Sequence, residues 1–344
     1  MEHPAALAGP PIDWATPRRI LVVRPDNLGD VVMAGPAVRA LHHAAPQARL
    51  DLLAAPAGAA VAPLLPHLDA VLTADVSWQQ LDPDAVPPDG DLALVRRIAA
   101  GRYDAAVVLT SFSQSPWPAA YLCRLAGVPV RVGASKEFGG AGLTHWVPAP
   151  PDGTHQVDRM LHVLERVGVP PAGVDLRLDL PPGARDPGTP YAMLLPGASC
   201  PSRRYPPERF ARVAELLAEG GLRVVVAGSA RESALVERAG GGVTGLDVPG
   251  LAALIAGSAV VVCNNSGGAH LASALRRPVV VLFAGTEQPA QYAPRGTPAA
   301  VLTVPTPCAP CRQLRCPYAQ ECLDIPPADV ARAALRLAAA GYPQ

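Results

Sequence analysis

The stretch VVVCNNSGGAHLASALRRPVVVLFAGT, residues 260–286, decides the fold. It opens on Val260, Val261, Val262 and Cys263, a short β-branched apolar run that fits a strand buried on both faces. Asn264-Asn265-Ser266-Gly267-Gly268 then carries turn and helix-capping chemistry. From Ala269 the apolar spacing turns helical, through Leu271, Ala272 and Leu275, and stops before Pro278. Val279–Phe283 reads as a second buried strand. Strand, glycine-bearing loop, helix and strand make a βαβ unit whose crossover is right-handed. The loop offers free backbone N–H groups at the positive end of a helix, where phosphate oxygens bind well. His270 falls in that first turn. The plainer reading is a βα turn capped by Asn or Ser, and this segment alone leaves both open.

The same alternation extends to either side. Arg19–Arg24 is a short apolar strand, Pro25–Asp30 a loop, Val31–His42 a helix and Arg49–Ala54 the next strand, so the chain opens as βαβ. Strands at Leu64–Thr73, Tyr103–Leu109 and Val130–Gly133 continue it, with helices at Leu92–Ala100, Pro118–Ala126 and Thr154–Val167. After a Pro- and Gly-rich run the pattern restarts with a strand at Tyr191–Leu195, a helix at Glu208–Glu219, a strand at Leu222–Ala227 and helices at Glu232–Ala239 and Gly250–Gly257. The expectation is an α/β chain of two doubly wound Rossmann-like domains facing a cleft. Residues 1–170 form the first domain, behind a loose tail at 1–17, and residues 171–190 are a linker. Residues 191–326 form the second domain, and 327–344 are a terminal helix that packs back on the first.

Composition narrows the function. Apolar residues make up 49% of the 344-residue chain and the formal net charge is zero, which argues against binding nucleic acid through a basic surface. Lysine occurs once, at Lys136. No apolar run approaches a membrane span, and residues 1–17 lack a signal-peptide pattern. A cytoplasmic monomer follows as an expectation, with peripheral contact at the inner face of the membrane allowed. There is no G-x-G-x-x-G after the first strand and no G-x4-G-K-[ST], which disfavours dinucleotide oxidoreductases and P-loop NTPases.

Several loops at strand ends carry candidate chemistry. Asp30, at a helix start after Gly29, is either a first-turn carboxylate or a general base. Ser199, Arg203 and Arg204 follow a strand, and the arginines are suited to clamping a diphosphate or to plain solvation. Gly228-Ser229 with Glu232 is placed either to contact ribose hydroxyls or simply to cap a helix. Cys308, Cys311, Cys316 and Cys322 run C-x2-C-x4-C-x5-C, which leaves a structural zinc, an iron–sulfur cluster or free thiols open.

With these loops in view, the chain resembles glycosyltransferase family 9, the ADP-heptose:lipopolysaccharide heptosyltransferase family. The resemblance rests on RPDNLGDVVMAGPAVRAL, VPVRVGA, THQVDRMLHVLERVGV, LLPGASCPSRRYPPERFARVAELL, NNSGGAHLASALRRPVVVLFAGT and the cysteine tail ending CLDI. It implies a GT-B fold, inverting transfer without a catalytic metal, and a nucleotide-sugar donor, ADP-linked, held by the C-terminal domain. Asp30 matches the family's proposed base, and Arg203 falls where relatives carry a lysine near the donor phosphates. Glu232 falls near a carboxylate associated with the nucleoside. Ser266, Gly267, Gly268 and His270 match the D-[ST]-G-x-x-H loop around the diphosphate, but Asn265 stands where that loop has its carboxylate. The acceptor, a cell-surface glycan or a metabolite hydroxyl, is expected against Asn27, Ser111 and Lys136. The rival readings are a nucleotide-sugar epimerase or hydrolase, and a non-catalytic nucleotide-binding protein.

Overall fold

The computed structural model describes residues 9–82, 84–181 and 189–340. The chain divides into two compact units, Met1–Val174 and Asp175–Gln344, with the break inside the Pro- and Gly-rich stretch.

In the first unit, strands and helices alternate as β1 (Arg19–Val23), α1 (Leu28–Met33), α2 (Gly35–Ala44), β2 (Arg49–Ala54), α3 (Pro56–Ala59), β3 (Ala70–Thr73), α4 (Pro88–Gly101), β4 (Ala105–Val108), α5 (Trp117–Leu125), β5 (Val130–Ser135), β6 (His145–Pro148) and α6 (Gln156–Glu165). Its sheet runs β3-β2-β1-β4-β5-β6, every pair parallel. The strand order reverses between β1 and β4, which is where open α/β sheets leave a crevice at the carboxyl ends of their strands.

The helix expected over Val31–His42 is two helices, α1 and α2, meeting at Ala34. Pro36 explains the break, since it has no N–H to continue the ladder and is accommodated in the first turn of α2. The tail expected to be loose is docked from Gly9 onward. Trp14 is buried and its Nε1 donates to the Val167 carbonyl at 2.8 Å, while His145 Nε2 lies 3.0 Å from the Pro10 carbonyl. An indole needs its N–H satisfied once buried, so Trp14 anchors the segment. Residues 1–8 lie outside the described residues.

The second unit repeats the plan with β7 (Tyr191–Leu195), α7 (Pro207–Glu219), β8 (Arg223–Gly228), α8 (Ser233–Arg238), β9 (Val243–Thr244), α9 (Val248–Gly257), β10 (Val260–Asn264), α10 (Gly267–Ala274), β11 (Val279–Leu282), α11 (Pro289–Tyr292), β12 (Ala299–Leu302) and α12 (Pro327–Ala340). Its sheet runs β12-β11-β10-β7-β8-β9, again all parallel, and reverses between β7 and β10. The 260–286 stretch therefore forms the expected βαβ unit, with β10 fully buried at the centre of the sheet.

The terminal helix α12 packs on α7, β10 and β11, and Val330, Ala331, Ala333 and Ala334 join the core of this unit. Its apolar face is thus used within the second unit. Among the described residues no helix is long and apolar enough to cross a membrane.

Candidate active site

At the switch point of the first unit, the loop after β1 faces the loop after β4, and one guanidinium holds them together. Arg24 is fully buried. Its Nη2 donates to Asp30 Oδ1 at 3.0 Å and to Ser111 Oγ at 2.8 Å, and its Nη1 donates to the Leu109 carbonyl at 3.2 Å. Asp26 Oδ2 lies 3.2 Å from Nη1 as a second ion pair, and Gln114 Nε2 donates to Asp26 Oδ1. A buried cation requires compensating partners, and these carboxylates and carbonyls supply them.

Asp30 sits in the first turn of α1, favourable for a carboxylate, and keeps 19% of its side chain exposed. Its second oxygen, Oδ2, takes no hydrogen bond among the described residues. Asp26 is more buried. Burial raises its carboxyl above the ordinary value of 3.8, the Arg24 charge pulls it back down, and neighbouring Asp30 pushes it up again. Asn27 is exposed at the N-terminus of α1, where its side chain makes no capping bond. The structure brings Asp30 and Ser111 together through Arg24. Lys136 does not join them: it follows β5, two strands from β1, and its Nζ pairs with Asp152 at 2.6 Å.

In the second unit, the loops after β7 and β10 are braced by Asn264, which is fully buried. Its Oδ1 accepts from the Tyr205 amide at 2.9 Å, and its Nδ2 donates to the carbonyls of Pro196 at 2.8 Å and Gly197 at 3.2 Å. Helix α10 then starts at Gly267 with no side-chain cap from Ser266 and no acidic residue in its first turn. Its first amides are left for a ligand or water, at the positive end of the helix. At Gly268 a Cβ would lie 2.5 Å from Leu195 Cδ1, so a side chain there would need Leu195 to shift. His270 is buried within that first turn.

The other donor-site candidates divide. Ser199 is exposed in the loop after β7. Arg204 donates through Nε and Nη2 to one carbonyl, Ala198 O, at 3.1 and 3.0 Å, so it shapes the loop. Arg203 Nη2 pairs with Glu287 Oε1 at 2.7 Å, and its Nε donates to Thr286 Oγ1 at 3.2 Å. The other oxygen of Glu287 accepts from Asn265 Nδ2 at 3.0 Å. Glu232 Oε2 accepts from the Ser229 amide and hydroxyl at 2.9 and 2.8 Å, a capping contact at the carboxyl end of β8 beside Gly228. The same carboxylate lies over Gly197, where a Cβ would come within 1.9 Å of Glu232 Oε1. Gly197 thus lets Glu232 lean over the loop that follows β7.

The sequence that folds into these two parallel sheets matches a protein family. The family model for glycosyltransferase family 9 (heptosyltransferase) matches residues 92–321. The chain belongs to glycosyltransferase family 9. It is 27% identical over 330 residues to lipopolysaccharide heptosyltransferase 1 of Pseudomonas aeruginosa, covering 87% of this chain and 88% of that one. Among solved structures, ADP-heptose lps heptosyltransferase II of E. coli superposes with a TM-score of 0.74 at 24% identity, over 94% of this chain and 99% of that one. E. coli heptosyltransferase WaaC with ADP-2-deoxy-2-fluoro heptose superposes with a TM-score of 0.66 at 21% identity, over 83% and 93%. The fold is therefore GT-B and the chain is a glycosyltransferase.

The cysteine-rich segment of this family 9 chain carries the four thiols whose spacing allows a metal centre. Among the described residues, no three His, Cys, Asp or Glu side chains are grouped to hold a metal ion. Cys308 is exposed with its thiol 3.6 Å from Thr306 Oγ1, whereas Cys322 is half-buried with its Cβ against Gly285. Burial raises the Cys322 thiol, a Gly285 backbone hydrogen bond opposes the rise, and the Cys316, Cys311 and Cys308 thiols add to it. The other three thiols therefore lie close enough to Cys322 to act on it.

Three polar residues of the site are not singled out by the sequence, Arg24, Gln114 and Glu287, and Asn264 reads there only as turn and capping chemistry. Arg24 carried a usable signal, since a cation following the buried run Ile20–Val23 needs polar partners. Asn264 and Asn265 look alike in the sequence, and only the strand end separates a buried brace from a loop residue.

Proposed function

We propose that this family 9 chain takes heptose from ADP-heptose and transfers it, with inversion, to a hydroxyl of a cell-surface glycan. The observation that carries the reading is Asp30: a carboxylate at a switch point, aimed by Arg24 through Oδ1, with Oδ2 left to accept a proton. Family membership supplies the reaction class. The ligand in a solved relative, ADP-2-deoxy-2-fluoro heptose, supports the donor.

In this scheme the acceptor hydroxyl lies against Asp30, beside Asn27 and Ser111. As its oxygen attacks the anomeric carbon, the proton passes to Asp30 Oδ2. The bond from that carbon to the diphosphate oxygen breaks on the opposite face, and ADP leaves with the electron pair. The loops after β7 and β10 bind the donor: the free amides of α10 and the Arg203 guanidinium meet the charge that grows on the diphosphate. Glu232, leaning over Gly197, is placed to accept from the nucleoside ribose. Positioned protein dipoles need no reorganisation as the bond breaks, which is why they favour the transition state over the ground state.

The test is Asp30→Asn with ADP-heptose and a panel of truncated envelope glycans. ADP-heptose affinity stays within about twofold, while ADP release and glycan mass gain fall by about a thousandfold, within the usual span for loss of a general base. Turnover that survives the substitution overturns the assignment of Asp30. Release of free heptose at the full rate without acceptor would instead make the chain a hydrolase.

A further inference from the structure

Asn265 stands where the family loop carries a carboxylate, and its surroundings account for the difference. Its Nδ2 donates to Glu287 Oε2 at 3.0 Å, and Glu287 Oε1 accepts from Arg203 Nη2 at 2.7 Å. A carboxylate only accepts, so the nitrogen end of the amide is the end that must face Glu287. Asn265 Oδ1 then points the other way, and it takes no hydrogen bond among the described residues. Asn265 is only 4% exposed, and the Glu287 side chain only 14%, so the pair sits in a partly dry setting where orientation is strongly held.

We infer that Glu287 is a positioning residue that locks the Asn265 amide with Oδ1 outward, as the acceptor for a hydroxyl of the donor's sugar. The inference rests on the transferase reading above. The negative charge sits in the turn after β11, where Arg203 pairs with it, while residue 265 offers an oxygen acceptor. Asn and Glu are therefore a matched pair. An aspartate at 265 would set two carboxylates about 3 Å apart, and one of them would have to take up a proton.

Calorimetry on the full chain with ADP and with ADP-heptose tests this. The wild type binds ADP-heptose more tightly than ADP. In Glu287→Gln and in Asn265→Asp the ADP-heptose affinity falls about tenfold, while ADP affinity stays within about threefold, or in Glu287→Gln rises as Arg203 loses its charged partner. The double variant Asn265→Asp/Glu287→Gln reverses the hydrogen bond and keeps the net charge, and it recovers ADP-heptose affinity to within about threefold of wild type. Thermal melts of each variant against the wild type show that the single variants are folded. The inference is overturned if Glu287→Gln binds ADP-heptose as the wild type does, if it loses both ligands equally, or if the double variant is no better than the singles. It is overturned too if the wild type binds both ligands alike, although the nucleotide site then stands. A wild type that binds neither ligand overturns the transferase reading itself.

Discussion

Asp30 owes its orientation to Arg24, and Arg24 is shared with a second carboxylate, Asp26, whose burial raises its pKa above 3.8. A carboxyl with a raised folded-state pKa stabilises the fold below its unfolded value and loses that contribution as pH rises through the folded value. Asp26→Asn removes this titration and keeps an oxygen to accept from Gln114. Thermal melts of the two proteins should therefore diverge with pH: the melting temperature of the variant rises relative to wild type from about pH 4 towards neutrality. A difference that is flat with pH would show that burial does not raise the Asp26 carboxyl. At this scale the sequence was informative where a residue type and a strand end coincide, as with Asp30 after Gly29. It was uninformative for Glu287 and Asn264, whose roles come from partners 22 to 84 residues away along the chain. Lys136, the single lysine, lies two strands away from Asp30 and pairs with a surface aspartate.

Elements with a strong period were legible, and those whose packing decides their state were not. The central strands β1, β4, β7, β10 and β11 are apolar runs buried on both faces, which only a covered parallel sheet can use. The outer strands β6, β9 and β12 went unread: His145–Pro148 ends in proline, Val243–Thr244 is two exposed residues, and Ala299–Leu302 starts with alanines. Edge strands take their conformation from a neighbour more than from their own residues. Two elements can be tested through single side chains. Asn264→Ala unties the end of β10 from the loop after β7 and leaves the Tyr205 amide and the Pro196 and Gly197 carbonyls without their partner. Denaturant melts should show a loss of about 3 kcal/mol. A loss below about 0.5 kcal/mol, the size of an ordinary surface change, would mean the brace is dispensable. Val330→Asp puts a carboxylate into the fully buried face of α12 and should cost at least about 3 kcal/mol in the same melts. A near-neutral result would mean that α12 is not part of the second core.

For the whole chain, two βα-alternating halves with a Pro- and Gly-rich stretch between them were readable from composition and period, and the break at Val174 falls in that stretch. The reversal of strand order in each sheet was not readable, because nothing in the chain order says on which side of β1 or β7 the fourth strand of each half will add. That reversal matters for function, since it opens each sheet beside Asp30 in one unit and beside Asn265 in the other. The account assigns the donor to the second unit, and hydrogen exchange on the intact chain with saturating ADP-heptose addresses that assignment most directly. It predicts slowed exchange at residues 197–204, 264–270 and 286–288. Slowing confined to the first unit, or absent from all three segments, would contradict it.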